Sequence, residues 1–173
     1  MSKADIEKIA RLVQQAFADI RENLHNNTLS KEQDAAIASL PLDVITKSAR
    51  NRLKKFPDDC CIDAAYVLAV IFIAISRQNG FQYGQLKQLR CHPTDKTKEK
   101  MFDKHQWLLV DGYNVDITFE QCKAVLKGNE GEIIFETHPL VGSDGYSFAS
   151  AEAVIEEPYT EFANFVIMNY FRG

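Results

Sequence analysis

Apolar residues recur at intervals of three and four positions through the N-terminal third of the chain. Between residues 3 and 24 this spacing predicts an amphipathic helix, and its inward positions are Ile6, Ile9, Ala10, Val13, Phe17, Ile20 and Leu24. Ser30 and Gln33 have the spacing of a capping box, which predicts a second helix that ends near Ser39. A third helix is expected over residues 43–55.

The next helix is apolar almost all round, which is typical of a helix in the middle of a protein. It is expected to begin between Asp59 and Cys61, with Asp58 or Asp59 as its N-cap, and to end at residues 79–80. Its most apolar run, residues 64–75, is too short to span a bilayer and therefore indicates a buried core helix.

In the C-terminal half, strand patterns replace helix patterns. Strands are expected over residues 81–91, 105–118 and 132–137, and loops over residues 92–102 and 139–151. Helical turns are expected over residues 119–127, with Thr118 and Gln121 as a capping box, and a closing helix over residues 159–171. Helices followed by antiparallel strands predict an α+β fold in which the central helix packs on the sheet.

Asp111-Gly112 is a strong signal for a two-residue hairpin turn. A turn at this pair places Val110 opposite Tyr113, and one face of the hairpin is then apolar apart from Gln106. A slip of one residue would mix the two faces, so the apolar face supports this register. The other face carries His105, Trp107, Leu109, Asn114, Asp116 and Thr118.

The composition is that of an ordinary soluble protein. The chain has 173 residues, of which 46% are hydrophobic and 25% charged, and this length suits one domain with a sizeable core. The net charge is −4 and no basic cluster exceeds residues 50–55, so nucleic-acid or membrane partners have no support. The first residues lack an apolar signal region, which predicts a cytoplasmic protein or export without a cleaved signal.

The four cysteines, Cys60, Cys61, Cys91 and Cys122, do not suggest a disulfide scaffold and are expected to be reduced thiols. A zinc site drawn from Cys60, Cys61, Cys91, His92 or His105 is a rival hypothesis. No Cys-x-x-Cys spacing supports it, and adjacent ligands fit a tetrahedral site poorly. We therefore expect no metal and no cofactor.

The hairpin register makes His105 and Asp116 diagonal cross-strand neighbours, roughly 7–8 Å apart at the backbone and within side-chain reach. A carboxylate in this position fixes the imidazole tautomer and stabilises its charged form. Cys61 would supply a nucleophile, because the amides and dipole at a helix N-terminus stabilise a thiolate. Each residue alone is more often structural, but the three together favour a catalytic triad.

The order Cys61, His105, Asp116 resembles the papain-like and transglutaminase-like superfamily, in which a cysteine opens a central helix and the other two residues lie on neighbouring strands. Residues 56–65, FPDDCCIDAA, are similar to the Phe-Pro-…-Cys-…-Ser stretch of small bacterial members. Residues 105–121 are similar to their His/Asp hairpin, and this match is the more specific because it spans many positions without a gap.

The resemblance implies acyl transfer through a thioester. Cys61 would attack, His105 would accept and later return the proton, and Asp116 would orient the imidazole. The backbone N–H of Cys61, in the first helical turn, is the expected oxyanion donor, and no second donor is identified. Adjacent helical residues point about 100° apart, so only one of Cys60 and Cys61 can face His105. The resemblance favours Cys61. Asp111 is interpreted as a turn former.

Trp107 shares a strand face with His105 and is a candidate substrate-binding residue, although packing is favoured. Ile62 stands where the family often has Gly, and Ala64 and Ala65 stand where it often has Ser. These departures leave an alternative, in which a catalytically inactive member of the fold binds a protein partner.

We therefore expect a single domain over residues 1–173, with a helical part over residues 1–56 and a catalytic core over residues 57–173. The expected function is a cysteine-dependent amide hydrolase or acyl transferase: a protease, amidase, deamidase or transglutaminase-like enzyme. Its partner would be a protein, peptide or other amide substrate.

Overall fold

The computed structural model describes residues 1–41, 48–79, 83–94, 104–123, 125–143, 145–152 and 156–171. The helices are α1 (Lys3–Asn26), α2 (Lys31–Ser39), α3 (Ala49–Leu53), α4 (Cys61–Asn79) and α5 (Thr160–Tyr170). The strands are β1 (Leu86–Pro93), β2 (His105–Val110), β3 (Tyr113–Val115), β4 (Ile134–Phe135) and β5 (Tyr146–Glu152). Two 3-10 turns cover Phe119–Gln121 and Glu157–Tyr159. Helices and an antiparallel sheet together confirm a mixed α+β architecture.

The first two helices form as their sequences predict. All seven inward positions of α1 are buried, and Ser2 caps its N-terminus by accepting a hydrogen bond from the Asp5 amide. Ser30 and Gln33 form both hydrogen bonds of the capping box that begins α2. The third helix is shorter than expected, because Ser48 is the N-cap of α3 and the helix begins at Ala49. The rest of that prediction, residues 43–47, lies outside the described residues.

The N-cap of the central helix differs from the prediction. Cys60, and neither Asp58 nor Asp59, directly precedes α4, and the Cys60 carbonyl accepts a hydrogen bond from the Ala64 amide. Asp59 has a positive φ of 59° and pairs with Lys55 on the surface. The Cys60 thiol donates to the Arg52 carbonyl. Cys60 is thus turned away into the helical part of the protein, and Cys61 is the first residue of α4.

The central helix is also longer than its most apolar run suggested. Residues 61–78 of α4 have a mean hydropathy of 1.6, and by length and composition this stretch could cross a membrane, but 72% of it is buried inside the fold. Burial of this extent is typical of the core helix of a globular protein. The length and hydropathy of α4 are therefore weak evidence for a membrane span.

The sheet has the strand order β4-β3-β2-β1-β5, and all its neighbouring pairs are antiparallel. Its two faces carry separate apolar clusters. Leu108, Val110 and Val115 pack with α1, α4 and α5 in the larger cluster. On the opposite face is a smaller cluster, formed by Leu89, Cys91, Trp107, Phe119, Cys122, Phe135, Leu140 and Tyr146.

The hairpin has the expected register, with Val110 paired to Tyr113 and Leu108 paired to Val115. Asp111 and Gly112 both have positive φ, 48° and 89°, as a two-residue primed turn requires. Asp111 also accepts hydrogen bonds from the backbone amides of Gly84 and Gln85. The strand β3 ends at Val115, so Asp116 lies one residue beyond it, where its amide donates to the Ile133 carbonyl.

Two segments expected to be loops contain strand. Residues 146–152 form β5, an edge strand that pairs with β1, although the segment is rich in Ser and Ala. His92 and Pro93 belong to the end of β1, and that strand begins only at Leu86. Most of the remaining predicted loop, residues 95–102, lies outside the described residues. Burial by neighbouring strands selects strand pairing here, and local propensity does not reveal it.

The turn after the hairpin lacks the predicted capping box. Thr118 makes no side-chain cap hydrogen bond to the 3-10 turn that follows, because its hydroxyl donates to the Asp116 carboxylate. The predicted strand over residues 132–137 is reduced to the two residues of β4. The closing helix is confirmed as α5, with Phe162, Ala163 and Val166 buried.

Candidate active site

The structure places His105 and Asp116 in direct contact, as the hairpin register predicts. His105 is the first residue of β2 and Asp116 follows β3. The imidazole Nε2 lies 2.5 Å from Asp116 Oδ2, and both side chains are buried, at 0% and 2% exposed. This pair is a histidine oriented by a carboxylate, the arrangement that the predicted triad requires of its base and orienting residue.

The other oxygen of Asp116 is held by Thr118. Asp116 Oδ1 accepts hydrogen bonds from the Thr118 amide at 2.9 Å and from the Thr118 hydroxyl at 2.8 Å. A short turn of the backbone brings these two donors back onto the carboxylate. The orientation of Asp116 is therefore set by its own segment as well as by His105.

The electrostatics of the pair favour its charged form. Burial opposes the His105 imidazolium, but the nearby Asp116 carboxylate and the Cys122 thiol raise the pKa of His105 well above its ordinary value. Burial also opposes the Asp116 carboxylate, but His105 and His138 hold the pKa of Asp116 well below its usual range. Both shifts favour the imidazolium–carboxylate form of the pair.

A second histidine, His138, binds the same carboxylate, and the sequence interpretation missed it. Its Nε2 lies 3.0 Å from Asp116 Oδ2, and its Nδ1 accepts a hydrogen bond from the Leu140 amide at 3.3 Å. Because Nδ1 is an acceptor, the ring proton is on Nε2 and is donated to Asp116. Burial lowers the pKa of His138, and the charge of His105 lowers it further, against the effect of Asp116.

Trp107 packs beside both histidines. Its ring stacks on His138 with centroids 4.0 Å apart and planes inclined by 17°, and it lies 5.8 Å from the His105 ring. The indole N–H donates to Asn114 Oδ1 at 2.9 Å, and the side chain is buried. These contacts hold Trp107 in the core, and its contact with substrate stays a prediction.

Cys61 reaches the sheet at the start of β2. Its sulfur lies 3.9 Å from the carbonyl oxygen of Lys104, the residue before His105, and the side chain is 7% exposed. The predicted nucleophile therefore stands next to the backbone of the predicted base. The contacts described for the His105 ring itself are with Asp116, Cys122, Trp107 and His138.

Cys122 is the second residue that sequence reasoning missed. It follows the 3-10 turn Phe119–Gln121, is fully buried, and forms a hydrogen bond with His105. Burial raises the pKa of the Cys122 thiol, and His105 opposes this rise. A thiol other than the predicted nucleophile therefore contacts the His105 imidazole, and Cys61 lies close enough to Cys122 to raise its pKa.

The remaining candidates have structural places. The Cys60 thiol is committed to the Arg52 carbonyl, and burial raises its pKa well above the ordinary value. Cys91 is the cross-strand partner of His105 on β1 and is buried. Asp111 lies in the hairpin turn, where it binds the N-terminal amine and two backbone amides. The choice of Asp116 over Asp111 as the partner of His105 is therefore confirmed.

The side chains of His105, Asp116 and His138 are spaced closely enough to bind a metal ion, with ligand atoms within 4.8 Å of one another. Two imidazoles and a carboxylate suit zinc or iron(II). A metal on Nε2 of His138 would put the ring proton on Nδ1, where it would face the Leu140 amide proton. The hydrogen-bonded arrangement fits the observed donors better than a metal site does.

The space beside Cys61 is narrow. It is lined by Cys61, Ala64, Ala65, Leu68, Gln106, Trp107, Val115, Asp116, Ile117 and Thr118, and it has no room for a water molecule. Ala64 and Ala65 form part of its wall. The small side chains bring α4 close to the sheet at this point.

No family model matches the chain, and no curated protein or solved structure is detectably similar to it.

Proposed function

We propose that the protein is a cysteine-dependent amide hydrolase or acyl transferase with a papain-like or transglutaminase-like fold. The observation that carries the proposal is the buried hydrogen bond between His105 and Asp116, next to a cysteine that opens the central helix. A buried histidine with an oriented tautomer and a raised pKa is typical of an acid–base site.

In the proposed reaction the Cys61 thiolate attacks an amide carbonyl carbon. The sulfur–carbon bond forms and the carbonyl oxygen takes the electron pair, stabilised by the backbone N–H of Cys61. His105 gives the proton taken from the thiol to the leaving amine, and the carbon–nitrogen bond breaks. Water or a second amine then attacks the thioester and gives its proton to His105. The carbon–sulfur bond breaks, the acid or new amide leaves, and the thiolate–imidazolium pair is restored.

Cys61 is preferred to Cys122 as the nucleophile. Cys61 is partly accessible at a helix N-terminus, whereas Cys122 is fully buried and burial raises the pKa of its thiol. An attacking thiolate needs an electropositive setting, which the start of α4 supplies. Binding of substrate requires that the space beside Cys61 open. The proposal requires that Cys61 exchange its proton with His105 during the reaction.

The test is alkylation of the full-length protein with iodoacetamide, followed by mass-spectrometric mapping of all four cysteines. A thiolate–imidazolium pair is expected to alkylate Cys61 at a rate that hardly changes between about pH 6 and about pH 8. His105→Ala is expected to slow Cys61 at neutral pH by about tenfold, because a free thiol is only a few per cent ionised there. Cys60 and Cys122 are internal controls, since both are 0% exposed whereas Cys61 is 7% exposed.

Two results would refute the proposal. One is ordinary thiol reactivity at Cys61 that is unchanged by His105→Ala. The other is preferential labelling of Cys122, which would show that His105 activates Cys122 and not Cys61.

The alternative is a non-catalytic member of the fold that binds a protein partner. It is favoured by the closed state of the site, where His105 and Asp116 are buried and the space beside Cys61 admits no water. This alternative expects that Cys61→Ser changes no acyl-transfer activity on any amide tested. It is separated from the enzyme hypothesis by the alkylation profile described above.

A further inference from the structure

The carboxylate of Asp116 is saturated with hydrogen bonds. Oδ1 accepts two from Thr118, and Oδ2 accepts one from His105 and one from His138. The proposed reaction uses only the contact with His105. The contact with His138 therefore needs an explanation of its own.

The donor role of His138 is fixed by the backbone. The Leu140 amide occupies the lone pair of Nδ1, so a neutral ring carries its proton on Nε2. Nε2 lies against Asp116 and donates to it. His138 is thus a neutral donor of one tautomer, beside a second histidine whose charge is stabilised by the same oxygen.

The ring of His138 is also held on several sides. It stacks on Trp107 and meets the rings of Phe119 and Phe135 edge-on, at centroid distances of 5.4 Å and interplanar angles of 83° and 68°. Trp107 is itself anchored to Asn114. A side chain confined in this way holds its hydrogen bond in one direction.

We propose that His138 is a positioning residue for the triad, which fixes the Asp116 oxygen that receives the Nε2–H of His105. The inference rests on the proposed function, because it concerns the base of that reaction. With Oδ2 fixed, the neutral His105 ring keeps its proton on Nε2, and Nδ1 is the nitrogen that exchanges a proton with Cys61 in the proposed reaction. Without the donor from His138, the carboxylate loses one restraint and His105 can adopt the opposite tautomer.

The first measurement uses the unmodified protein. Long-range ¹H–¹⁵N NMR of the histidine rings is expected to show His138 neutral at neutral pH, with its proton on Nε2, and to show it becoming charged only at a lower pH than His105. A His138 ring that carries its proton on Nδ1, or that becomes charged at a higher pH than His105, would overturn the proposal. This measurement needs no variant that might disturb folding.

The second measurement compares His138→Gln with His138→Leu. A Gln amide N–H can replace the Nε2–H donor, whereas Leu fills similar space without a donor. At a pH above the pKa of His105, where its ring is neutral, His138→Leu is expected to produce a mixture of His105 tautomers. At neutral pH the same variant is expected to slow Cys61 alkylation by about tenfold, the usual effect of removing a supporting hydrogen bond. His138→Gln is expected to keep the His105 tautomer and to stay within about threefold of the wild-type rate.

Equal slowing of Cys61 alkylation in the two variants would show that the packing of the ring matters and not its donor, and it would overturn the proposal. Wild-type rates in both variants would also overturn it. Failure of the proposed function has a different signature, which is Cys61 alkylation that ignores His105→Ala. In that case the tautomer of His105 in the Gln and Leu variants still decides the role of His138.

Discussion

At the scale of single residues, the centre of the site is the Asp116 carboxylate, which binds two histidines whose pKa values are shifted in opposite directions. It raises the pKa of His105 well above the ordinary value, while burial keeps the pKa of His138 below it. One carboxylate therefore pairs with an imidazolium and with a neutral imidazole at the same oxygen. Different pKa values in neighbouring groups are typical of sites that move protons.

The His105–Asp116 pair makes stability depend on pH. The pKa of His105 is higher in the folded protein than in the unfolded chain. The histidine therefore stabilises the fold fully at pH values below its pKa in the unfolded chain, and this stabilisation is lost as pH rises through its pKa in the folded protein. Since the folded pKa of Asp116 is lowered, its contribution is complete above the unfolded pKa and is lost as pH falls through the folded pKa. The pair stabilises the fold most between about pH 4 and about pH 6.5.

We therefore compare the free energy of unfolding of the wild type with that of His105→Gln. Above about pH 6.5 the wild-type value is expected to fall relative to the variant, by at most about 1.4 kcal/mol per pH unit. Urea unfolding at several pH values measures this difference. The titration of His138 has the opposite effect on the free energy of unfolding, and at lower pH, because the pKa of His138 is lowered in the folded protein. If the free energy of unfolding of the wild type minus that of the variant stays constant or rises above about pH 6.5, the fold does not stabilise the His105 imidazolium.

The sequence could identify His105 and Asp116 because both belong to one hairpin whose register is set by its turn. It could also place Cys61, since a helix start is a local feature. Cys122 and His138 lie on irregular segments, after a 3-10 turn and after a two-residue strand. Their approach to His105 depends on long-range packing, which has no periodic pattern in the sequence.

At the scale of elements, the hairpin turn fixes which side chains share a face, and Gly112 is its most constrained position. Its φ is 89°, and an added Cβ would have no neighbour within 4 Å. Gly112→Ala is therefore expected to cost about 1 kcal/mol from backbone strain alone. Thermal or urea unfolding would measure the loss.

Gly84→Ala is the matched control for this substitution. Gly84 lies outside the positive-φ region, and its added Cβ would make an ordinary contact of 3.6 Å with Asp111 Oδ1. Its stability is expected to be unchanged or raised by about 0.5 kcal/mol. Equal losses at the two glycines would show that the turn conformation is not the cause.

Elements with strong periodicity or turn chemistry were predictable, and elements defined by their neighbours were not. The helices α1, α2 and α5 and the hairpin follow from apolar spacing, a capping box and Asp111-Gly112. The edge strand β5 was missed because its Ser- and Ala-rich sequence resembles a loop, and pairing with β1 decides its structure. Asp58 and Asp59 suggested a cap for α4, but the turn before the helix puts Cys60 at that position.

At the scale of the whole molecule, several contacts tie the helical N-terminal part to the site-bearing part. Gln14 donates to the Ile117 carbonyl and Arg11 to the Gly131 carbonyl. Arg52 and Asp63 form a buried ion pair with two hydrogen bonds, at 2.7 and 3.0 Å, between α3 and the first turn of α4. Residues from both parts share the larger apolar cluster, which predicts that the two parts unfold together.

Asp63→Asn tests this cooperativity, because it leaves the buried Arg52 charge without its carboxylate. Loss of one partner from a buried ion pair is expected to cost about 3–5 kcal/mol. Trp107 is the single tryptophan of the chain and lies beside His105, so its fluorescence reports the site, while far-UV circular dichroism reports the helices. In a single cooperative unit, the substitution lowers both midpoints by the same amount and the two transitions coincide. A helical transition that moves while the Trp107 transition stays in place would show that residues 1–56 and residues 57–173 unfold separately, and it would overturn the prediction of a single domain.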